Sequence, residues 1–166
     1  MGMDERIAAA AALRTQGAYG AARSLLYAAL TGTGLTGAEQ ARLLYQLAWC
    51  SDAAGDEAAA VPFYEQALAL GLAGEERSGA LLGLGSTYRA LGRYADAERT
   101  LAQGMADFPD RLEFTAFWAI TRYNQQAVAD AVRLLVQTLA ASSADPGIQR
   151  YRRALLFYAE HLDEVW

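Results

Sequence analysis

The sequence predicts an all-α fold, an α-α superhelix of about four helical hairpins followed by a C-terminal capping helix. Three observations support this prediction. Apolar and small residues recur at helical spacing through residues 81–109. Four alanines at equivalent places, Ala22, Ala60, Ala97 and Ala131, are 38, 37 and 34 residues apart, and such a period is typical of a solenoid. Turn and capping signals separate the segments.

One hairpin is complete in residues 81–109. Its first helix carries Leu84, Gly85 and Tyr88, a break follows at Gly92, and Ala97 lies on its second helix. A glycine inside a helix costs roughly 1 kcal/mol relative to alanine, so its presence needs a packing reason. We therefore expect the two helices to approach closely where Gly85 meets Ala97, since neither side chain would hold them apart.

The chain is expected to form a single domain over residues 1–166. We divide it into repeats at about 3–31, 37–71, 74–108 and 110–141, and a capping helix at 146–165. The first repeat is Ala-rich and degenerate at its start, as terminal repeats are. In the second repeat, Thr36 and Glu39 have capping-box spacing, and Asp56 is placed to cap the next helix.

The fourth repeat and the capping helix have signals of their own. Asp110 and Glu113 again have capping-box spacing, and Asn124 is expected to adopt the left-handed conformation that glycine takes at the other breaks. Asp145 and Pro146 form a helix start signal. Apolar residues then recur at helical spacing, and we expect them to face inward: Ile148, Tyr151, Leu155, Tyr158 or Ala159, Leu162, Val165 and, at the end of the chain, Trp166.

The offsets in residues 81–109 resemble the tetratricopeptide repeat (TPR), in which a bulky residue, Leu-Gly, Tyr, Ala, a large apolar residue and a closing Pro recur. Residues 64–110, together with the closing run 151–162, are similar to the short bacterial group-five TPR family. This resemblance implies a small all-helical protein that holds another molecule in a groove. It implies no catalytic residues.

Composition narrows the classes of partner and compartment. Apolar residues make up 54% of the chain and charged residues 20%, which favours a packed domain over disorder. The net charge of −5 argues against a nucleic-acid partner, because such partners need a basic face. The N-terminus resembles neither a signal peptide nor a membrane span. Cys50 is the only cysteine, and all basic residues are Arg, so we expect a bacterial protein in the cytoplasm.

The sequence gives no support for catalysis, a cofactor or a metal. His161 is the only histidine and lacks the partners that a zinc site needs. Cys50 has no histidine near it in sequence to activate it and is interpreted as a buried structural thiol. The Gly83-Leu84-Gly85 run follows no strand, so helix packing explains it better than phosphate binding. We therefore expect a protein that is not an enzyme.

The concave face is where a partner is expected. By the resemblance, it is lined by fixed positions of the first helix of each repeat, whereas Trp118 should point into the core. We predict a partner-binding groove made of Arg14, Arg42, Tyr45, Gln46, Trp49, Asp52, Leu82, Ser86, Arg89, Phe117, Ile120 and Tyr123. Aromatic and Arg side chains dominate interface hot spots, so the predicted function is to bind a peptide or protein segment, with an Arg gripping a carboxylate.

Two alternatives remain open on the sequence alone. Some groove residues could simply complete the core between repeats. The protein could also be a self-associating structural module, a homo-oligomer formed through its end cap or its Ala-rich first hairpin. An exposed apolar strip is compatible with either kind of partner, because monomeric proteins seldom keep such a strip without a use.

Overall fold

The computed structural model describes residues 2–165, and all of the regular secondary structure within that range is helical. The predicted all-α class is therefore confirmed, while the prediction for Trp166 falls outside the described residues. The chain divides into two compact units, Met1–Arg93 and Tyr94–Trp166. The first contains α1 (Met3–Thr15), α2 (Tyr19–Leu30), α3 (Gly37–Ala53), α4 (Glu57–Ala69) and α5 (Gly74–Ala90). The second contains α6 (Tyr94–Asp107), α7 (Leu112–Asn124), α8 (Val128–Ser142) and α9 (Pro146–Glu160).

In the first unit, each helix packs against the next one along the chain, and α1 and α5 also contact α3. The three odd-numbered helices therefore form one layer with α3 in the middle. Leu26, Leu43, Leu47 and Cys50 are fully buried within this unit. The predicted burial of the Cys50 thiol is confirmed, and this burial raises its pKa, partly opposed by Arg14.

In the second unit, α6 packs on α7, α7 on α8 and α8 on α9. Its core contains Leu101 of α6 and Phe114 of α7, both fully buried, and the Phe114 ring stacks on Phe108 with their centroids 6.4 Å apart. Gly104 of α6 lies against the Phe114 ring, and a Cβ at that position would be 2.7 Å from Phe114 Cζ. The glycine is thus required for this contact between α6 and α7.

The periodic alanines are buried as the repeat pattern predicts. Ala22, Ala60 and Ala97 have no exposed surface, and Ala131 is 3% exposed. Gly85 is also buried. Because Gly85 and Ala97 belong to different units, their close approach stays a prediction.

Three of the predicted helix caps form. At the start of α3 the Glu39 backbone N–H donates to Thr36 Oγ1 (3.2 Å), and the Thr36 N–H donates to Glu39 Oε2 (2.8 Å). Asp56 and Asp145 cap α4 and α9 through their side chains. The cap predicted at Asp110 is wrong: α7 begins one residue later, with Arg111 in the N-cap position and no side-chain cap.

Left-handed residues end the first helix of the hairpins. Gly17, Gly55 and Gly92 have φ of 75°, 77° and 73°. At the fourth break this place is held by Gln126 with φ 66°, so the prediction for Asn124 is wrong. Asn124 is still helical because the two hydrogen bonds that close the helix are donated by later residues. Gln126 N–H donates to Tyr123 O, and Ala127 N–H donates to Arg122 O.

The predicted capping helix is shorter than expected, since α9 ends at Glu160 rather than at residue 165. The reason lies in His161, whose ring stacks on Phe157 with centroids 4.4 Å apart. His161 Nδ1 lies 2.7 Å from the Phe157 carbonyl oxygen, and the His161 backbone N–H donates to Tyr158 O instead of continuing the α-helical pattern. Val165 beyond this end is 96% exposed rather than buried.

Candidate partner-binding surface

The first unit brings nine of the predicted site residues onto its layer of odd-numbered helices. We call this set the α3 surface. It consists of Arg14 on α1, of Arg42, Tyr45, Gln46, Trp49 and Asp52 on α3, and of Leu82, Ser86 and Arg89 on α5. Because α1 and α5 both contact α3, side chains from the three helices lie close enough to interact. The remaining predicted residues, Phe117, Ile120 and Tyr123, lie on α7 in the second unit.

Trp49 is the exposed aromatic residue of the α3 surface. Its side chain is 44% exposed, and its ring stacks on Tyr45, one helical turn earlier, with centroids 5.9 Å apart and planes at 30°. From α1, the guanidinium carbon of Arg14 approaches to 3.6 Å from the centroid of the Trp49 ring. A cation over an indole face is attracted by the ring quadrupole. Trp49 is therefore held in one orientation while much of its surface stays open.

Arg14 owes its position to both helices. It lies in the last turn of α1, where a positive charge is favoured by the helix dipole. Its Nη1 donates to Gln46 Oε1 of α3 at 2.9 Å. Gln46 is only 6% exposed, so this bond also satisfies a buried amide oxygen. The Arg14 guanidinium has five N–H donors in a planar fork, and the bond to Gln46 involves one of its nitrogens.

Tyr45 differs from the simple groove-lining role that the pattern predicts. It is 8% exposed, and burial raises the pKa of its hydroxyl. Its ring contacts Tyr64 of α4 at a centroid distance of 6.3 Å. A Cβ at Gly79 of α5 would lie 3.1 Å from Tyr45 Cζ and closer still to its hydroxyl, so Tyr45 fits only because that residue is glycine. Tyr45 supports Trp49 from within the core.

Arg42 is already engaged by two carboxylates of the chain. Its Nε donates to both Glu76 oxygens at 3.1 Å, and its Nη1 lies 2.9 Å from Asp4 Oδ1. The hydrogen bonds that Arg42 donates to Glu76 and, next in importance, to Asp4 raise its pKa. Since Asp4 belongs to α1 and Glu76 to α5, Arg42 connects all three helices of the α3 surface. Its observed role is structural.

Asp52 places a half-buried carboxylate near the C-terminal end of α3. Tyr64 of α4 donates its hydroxyl to Asp52 Oδ2 at 3.4 Å. Burial raises the pKa of the Asp52 carboxyl, and the hydroxyls of Thr87 and Tyr64 partly offset that shift. The three predicted residues of α5, Leu82, Ser86 and Arg89, are each half-buried.

In the second unit, the predicted residues lie on one stretch of α7. Phe117 is half-buried, whereas Ile120 is 40% and Tyr123 is 59% exposed. Trp118, which the pattern assigns to the core, is also half-buried, and its indole N–H donates to Glu98 Oε1 of α6 at 3.2 Å. Ile120 and Tyr123 thus form a separate exposed apolar pair on α7.

Sequence reasoning missed a second exposed aromatic surface. Tyr151 of α9 was expected to face inward but is 61% exposed, and Leu162 beyond the helix end is 43% exposed. Of the two alternatives Tyr158 and Ala159, Ala159 is the buried one, whereas Tyr158 is 53% exposed. Only Ala159 of α9 is fully covered. The small size of Ala159 could have indicated which side of α9 packs on α8, because two helices pack closely where a side chain is small. The tyrosines would then be expected on the exposed side.

The chemistry available at the α3 surface is non-covalent. It offers an indole face, a guanidinium group and a carboxylate, but the nearby thiol of Cys50 is buried with a raised pKa and so is a poor nucleophile. Within residues 2–165, no group of three His, Cys, Asp or Glu side chains is placed to hold a metal ion. None of the helices described is both long enough and apolar enough to cross a membrane.

Comparison with known proteins agrees with this architecture. The family model described as a tetratrico peptide repeat, of the group-five class, matches residues 41–162. No curated protein matches the chain. Repeats of this kind generally mediate protein–protein interaction and are typically not enzymes. The match extends from α3 to just beyond α9 and covers well over half of the sequence, so the chain belongs to the tetratricopeptide repeat family.

Proposed function

We propose that this protein is a non-enzymatic interaction module whose α3 surface binds a segment of another protein. The observation that carries the proposal is the state of Trp49, which is 44% exposed yet fixed between Tyr45 and Arg14. Immobilising a side chain on binding costs roughly 0.5–1.5 kcal/mol. An aromatic ring that is already oriented avoids much of that cost, as expected of a binding anchor.

The chemistry of the partner follows from the groups around Trp49. A bulky apolar side chain would pack on the open part of the indole ring. Arg14 supplies a positive charge beside it, with N–H groups beyond the one that binds Gln46. Carboxylates and phosphates are the groups that a guanidinium fork binds with two parallel hydrogen bonds, and of these the side chains of a protein segment supply the carboxylate. We therefore infer that the bound segment carries an acidic residue next to a large apolar one.

Protein is favoured over nucleic acid as the partner. The net charge of the chain is −5, and Arg42 is neutralised by Asp4 and Glu76. Phosphate recognition would need several uncommitted cations on one face. Tyr, Trp and Arg are the residues most enriched at protein–protein hot spots, and they are the residue types found at and around Trp49.

The exposed pair on α7 offers a second contact surface of similar chemistry. Ile120 and Tyr123 project from the second unit with 40% and 59% exposure. We propose that they contact the same class of partner. The composition of the chain, with one buried thiol and with Arg as its basic residue, supports placing this module in the cytoplasm of a bacterium.

The test is site-specific photo-crosslinking in cells from position 49, with an aromatic crosslinking residue that keeps a ring at that place, and the same crosslinker at position 70 is the matched control. Leu70 is 42% exposed in the same unit but lies outside the α3 surface. The captured segment is identified by mass spectrometry, synthesised and titrated against the purified protein. We expect Trp49→Ala to weaken its binding about tenfold or more, equivalent to 1.4 kcal/mol, and Leu70→Ala to leave it unchanged.

Two outcomes would overturn the proposal. The first is the same set of partners crosslinked from positions 49 and 70. The second is a synthesised segment whose affinity is equal for wild type, Trp49→Ala and Leu70→Ala. Circular dichroism and thermal unfolding of each variant establish that a loss of binding does not come from a loss of fold.

A further inference from the structure

Asp52 is the carboxylate of the α3 surface, and it lies beyond Trp49 from the place where Arg14 is fixed. Tyr45, Trp49 and Asp52 are spaced four and three residues apart, so they share one face of α3. Arg14 is held at Gln46, which precedes Asp52 by about 9 Å along the helix axis. The exposed ring of Trp49 therefore has a positive group toward one end of α3 and a negative group toward the other.

The hydrogen-bond partners of the Asp52 carboxylate are two hydroxyl groups. Tyr64 of α4 donates to Oδ2 at 3.4 Å. It fits beside α5 because Gly83 has no side chain, since a Cβ there would lie 2.6 Å from Tyr64 Cζ. Thr87 carries the second hydroxyl, and its single proton is shared with the Gly83 carbonyl oxygen, 2.7 Å away. A carboxylate has about four acceptor positions, so these neutral groups leave it with capacity for a further donor.

The electrostatic surroundings of Asp52 are negative. It lies in the last turn of α3, where the carbonyl end of the helix dipole disfavours a negative charge. Burial raises the pKa of the Asp52 carboxyl, and the negative charge of Glu57 in the first turn of α4 adds to that rise. Within residues 2–165 no Arg side chain forms an ion pair with this carboxylate. A bound cation would relieve all of these unfavourable features.

The fold does not explain why this position carries a charge. An asparagine could accept hydrogen bonds from Tyr64 and Thr87 through its side-chain oxygen, without the desolvation cost of a half-buried carboxylate. By contrast, the carboxylates of Asp4 and Glu76 are used by the fold, because both are paired with Arg42. Residues that cost stability without a structural return are expected at functional sites.

We propose that Asp52 is a specificity-determining residue of the α3 surface, where its carboxylate binds a Lys or Arg side chain of the captured segment. This inference rests on the proposed function, and it adds a basic residue to the acidic and apolar residues that Arg14 and Trp49 select. A metal ion fits this position less well, because Ca²⁺ and Mg²⁺ need about six oxygen ligands. An ammonium or guanidinium group is satisfied by one carboxylate with hydroxyls beside it.

The distance along α3 sets the spacing of the charges in the segment. The anchoring point of Arg14 and the Asp52 position are about 9 Å apart along the axis, and an extended chain rises about 3.3 Å per residue. We therefore expect the acidic and basic residues of the segment to lie about two to four positions apart, with the large apolar residue between them. Both charges on one side of the apolar residue would bring one of them next to a group of like sign.

Selection of displayed random peptides on the purified full chain tests the proposal. The wild type should select peptides with an acidic and a basic residue on opposite sides of a large apolar one. Asp52→Asn should keep the acidic and apolar preferences and lose the basic one. A selected peptide, synthesised and titrated, should bind Asp52→Asn about tenfold more weakly or worse. The matched control is Asp56→Asn, which removes an exposed carboxylate outside the α3 surface and keeps a residue that caps α4 equally well.

A double-mutant cycle tests whether the basic preference comes from direct contact. Replacing the basic residue of the peptide with Gln should weaken binding to the wild type and have little further effect on Asp52→Asn. Additive losses would overturn the proposed contact. So would a wild type without a basic preference, or an Asp52→Asn variant that selects and binds the same peptides as the wild type. Circular dichroism establishes that each variant is folded.

Trp49→Ala separates this inference from the proposed function. If Trp49→Ala abolishes selection while Asp52→Asn changes nothing, the proposed function stands and the role of Asp52 is lost. If Trp49→Ala selects the same peptides as the wild type, or if the wild type selects none, the proposed function fails and this inference fails with it.

Discussion

The guanidinium group of Arg14 covers one face of the Trp49 ring, with its central carbon 3.6 Å from the ring centroid. The contact joins the last turn of α1 to α3, and the bond from Arg14 to Gln46 fixes it from the other side. The most exposed aromatic residue of the α3 surface is therefore oriented by a neighbouring helix rather than by its own burial. The pair therefore contributes to the packing of α1 on α3, and in the proposed function it also contacts the partner.

Replacing Arg14 with Lys should separate the effect of its positive charge on stability from the effect of its planar guanidinium group. The ammonium group keeps the positive charge, but it cannot stack as a plane on the indole ring while donating to Gln46. We expect Arg14→Lys to lower the free energy of unfolding by about 0.5–1 kcal/mol, measured by urea denaturation. The control is Arg23→Lys, since Arg23 lies at the outer limit of an ion pair with Asp56 (3.9 Å) and should tolerate the change. Equal effects of the two substitutions would contradict the assigned role of Arg14.

The half-buried carboxylate of Asp52 should make stability depend on pH in an unusual direction. Burial raises its pKa above the ordinary value of 3.8, so the folded state binds this proton more tightly than the unfolded state. Its contribution to stability is fully present below pH 3.8 and is lost as the pH rises through the raised pKa. Asp52→Asn should therefore stabilise the protein at neutral pH and give little advantage below pH 3.8, as measured by urea unfolding at both pH values.

Glu39 provides the control of opposite sign for this experiment. The hydrogen bond from the Thr36 backbone, followed by the one from its hydroxyl, lowers the pKa of Glu39 below 4.5. The contribution of the Glu39 carboxylate to stability is fully present above pH 4.5 and is lost as the pH falls through its lowered pKa. Glu39→Gln should thus destabilise the protein at neutral pH and become harmless in acid. Asp52→Asn and Glu39→Gln shifting stability in the same direction at neutral pH would refute the argument.

Much of the fold could be predicted because it depends on local chemistry. The caps at Thr36, Asp56 and Asp145 are set by residues within three positions, and the burial of Ala22 and Ala60 follows from the repeat period. The errors occurred where two local solutions compete. Gln126 takes the left-handed place because of where the closing hydrogen bonds fall, and α9 ends early because His161 folds back on Phe157.

Less of the candidate site could be predicted, because it depends on partners far apart in sequence. A pattern can place Arg42 on the correct helix face, but it cannot show that Asp4 and Glu76 neutralise it. Likewise Tyr45 has the spacing of a groove residue, and only the absence of a side chain at Gly79 lets it sink into the core. The exposure of Trp49, by contrast, follows from its position on α3 and does not depend on a residue far away in the sequence.

Removing one helix cap and adding another should change stability in opposite directions. Thr36→Ala removes the hydroxyl that accepts the Glu39 backbone N–H at the start of α3 and donates to the Glu39 carboxylate, and should cost about 0.5–2 kcal/mol. Ala73 occupies the N-cap of α5 in the extended conformation but offers no side-chain acceptor, so Ala73→Ser should stabilise by up to about 1 kcal/mol. Chemical denaturation measures both changes. A neutral Thr36→Ala variant would mean that water satisfies the freed Glu39 N–H equally well.

Gly104 and Gly20 should respond oppositely to alanine, although both lie in helices. At Gly104, a methyl group would lie 2.7 Å from Phe114 Cζ and closer to two other ring atoms. Phe114 is fully buried and stacked on Phe108, so its ring has little room to move. Overpacking of this kind costs typically about 1–3 kcal/mol, against roughly 1 kcal/mol gained in helix propensity.

We therefore expect Gly104→Ala to lower the thermal unfolding midpoint, and Gly20→Ala, where a Cβ would meet no atom within 4 Å, to raise or preserve it. Combining Gly104→Ala with Phe114→Leu should cost less than the sum of the two single changes, because the smaller side chain relieves the overlap. Additive effects would mean that the methyl group is accommodated by a shift between α6 and α7. The pair would then not be the contact that sets their separation.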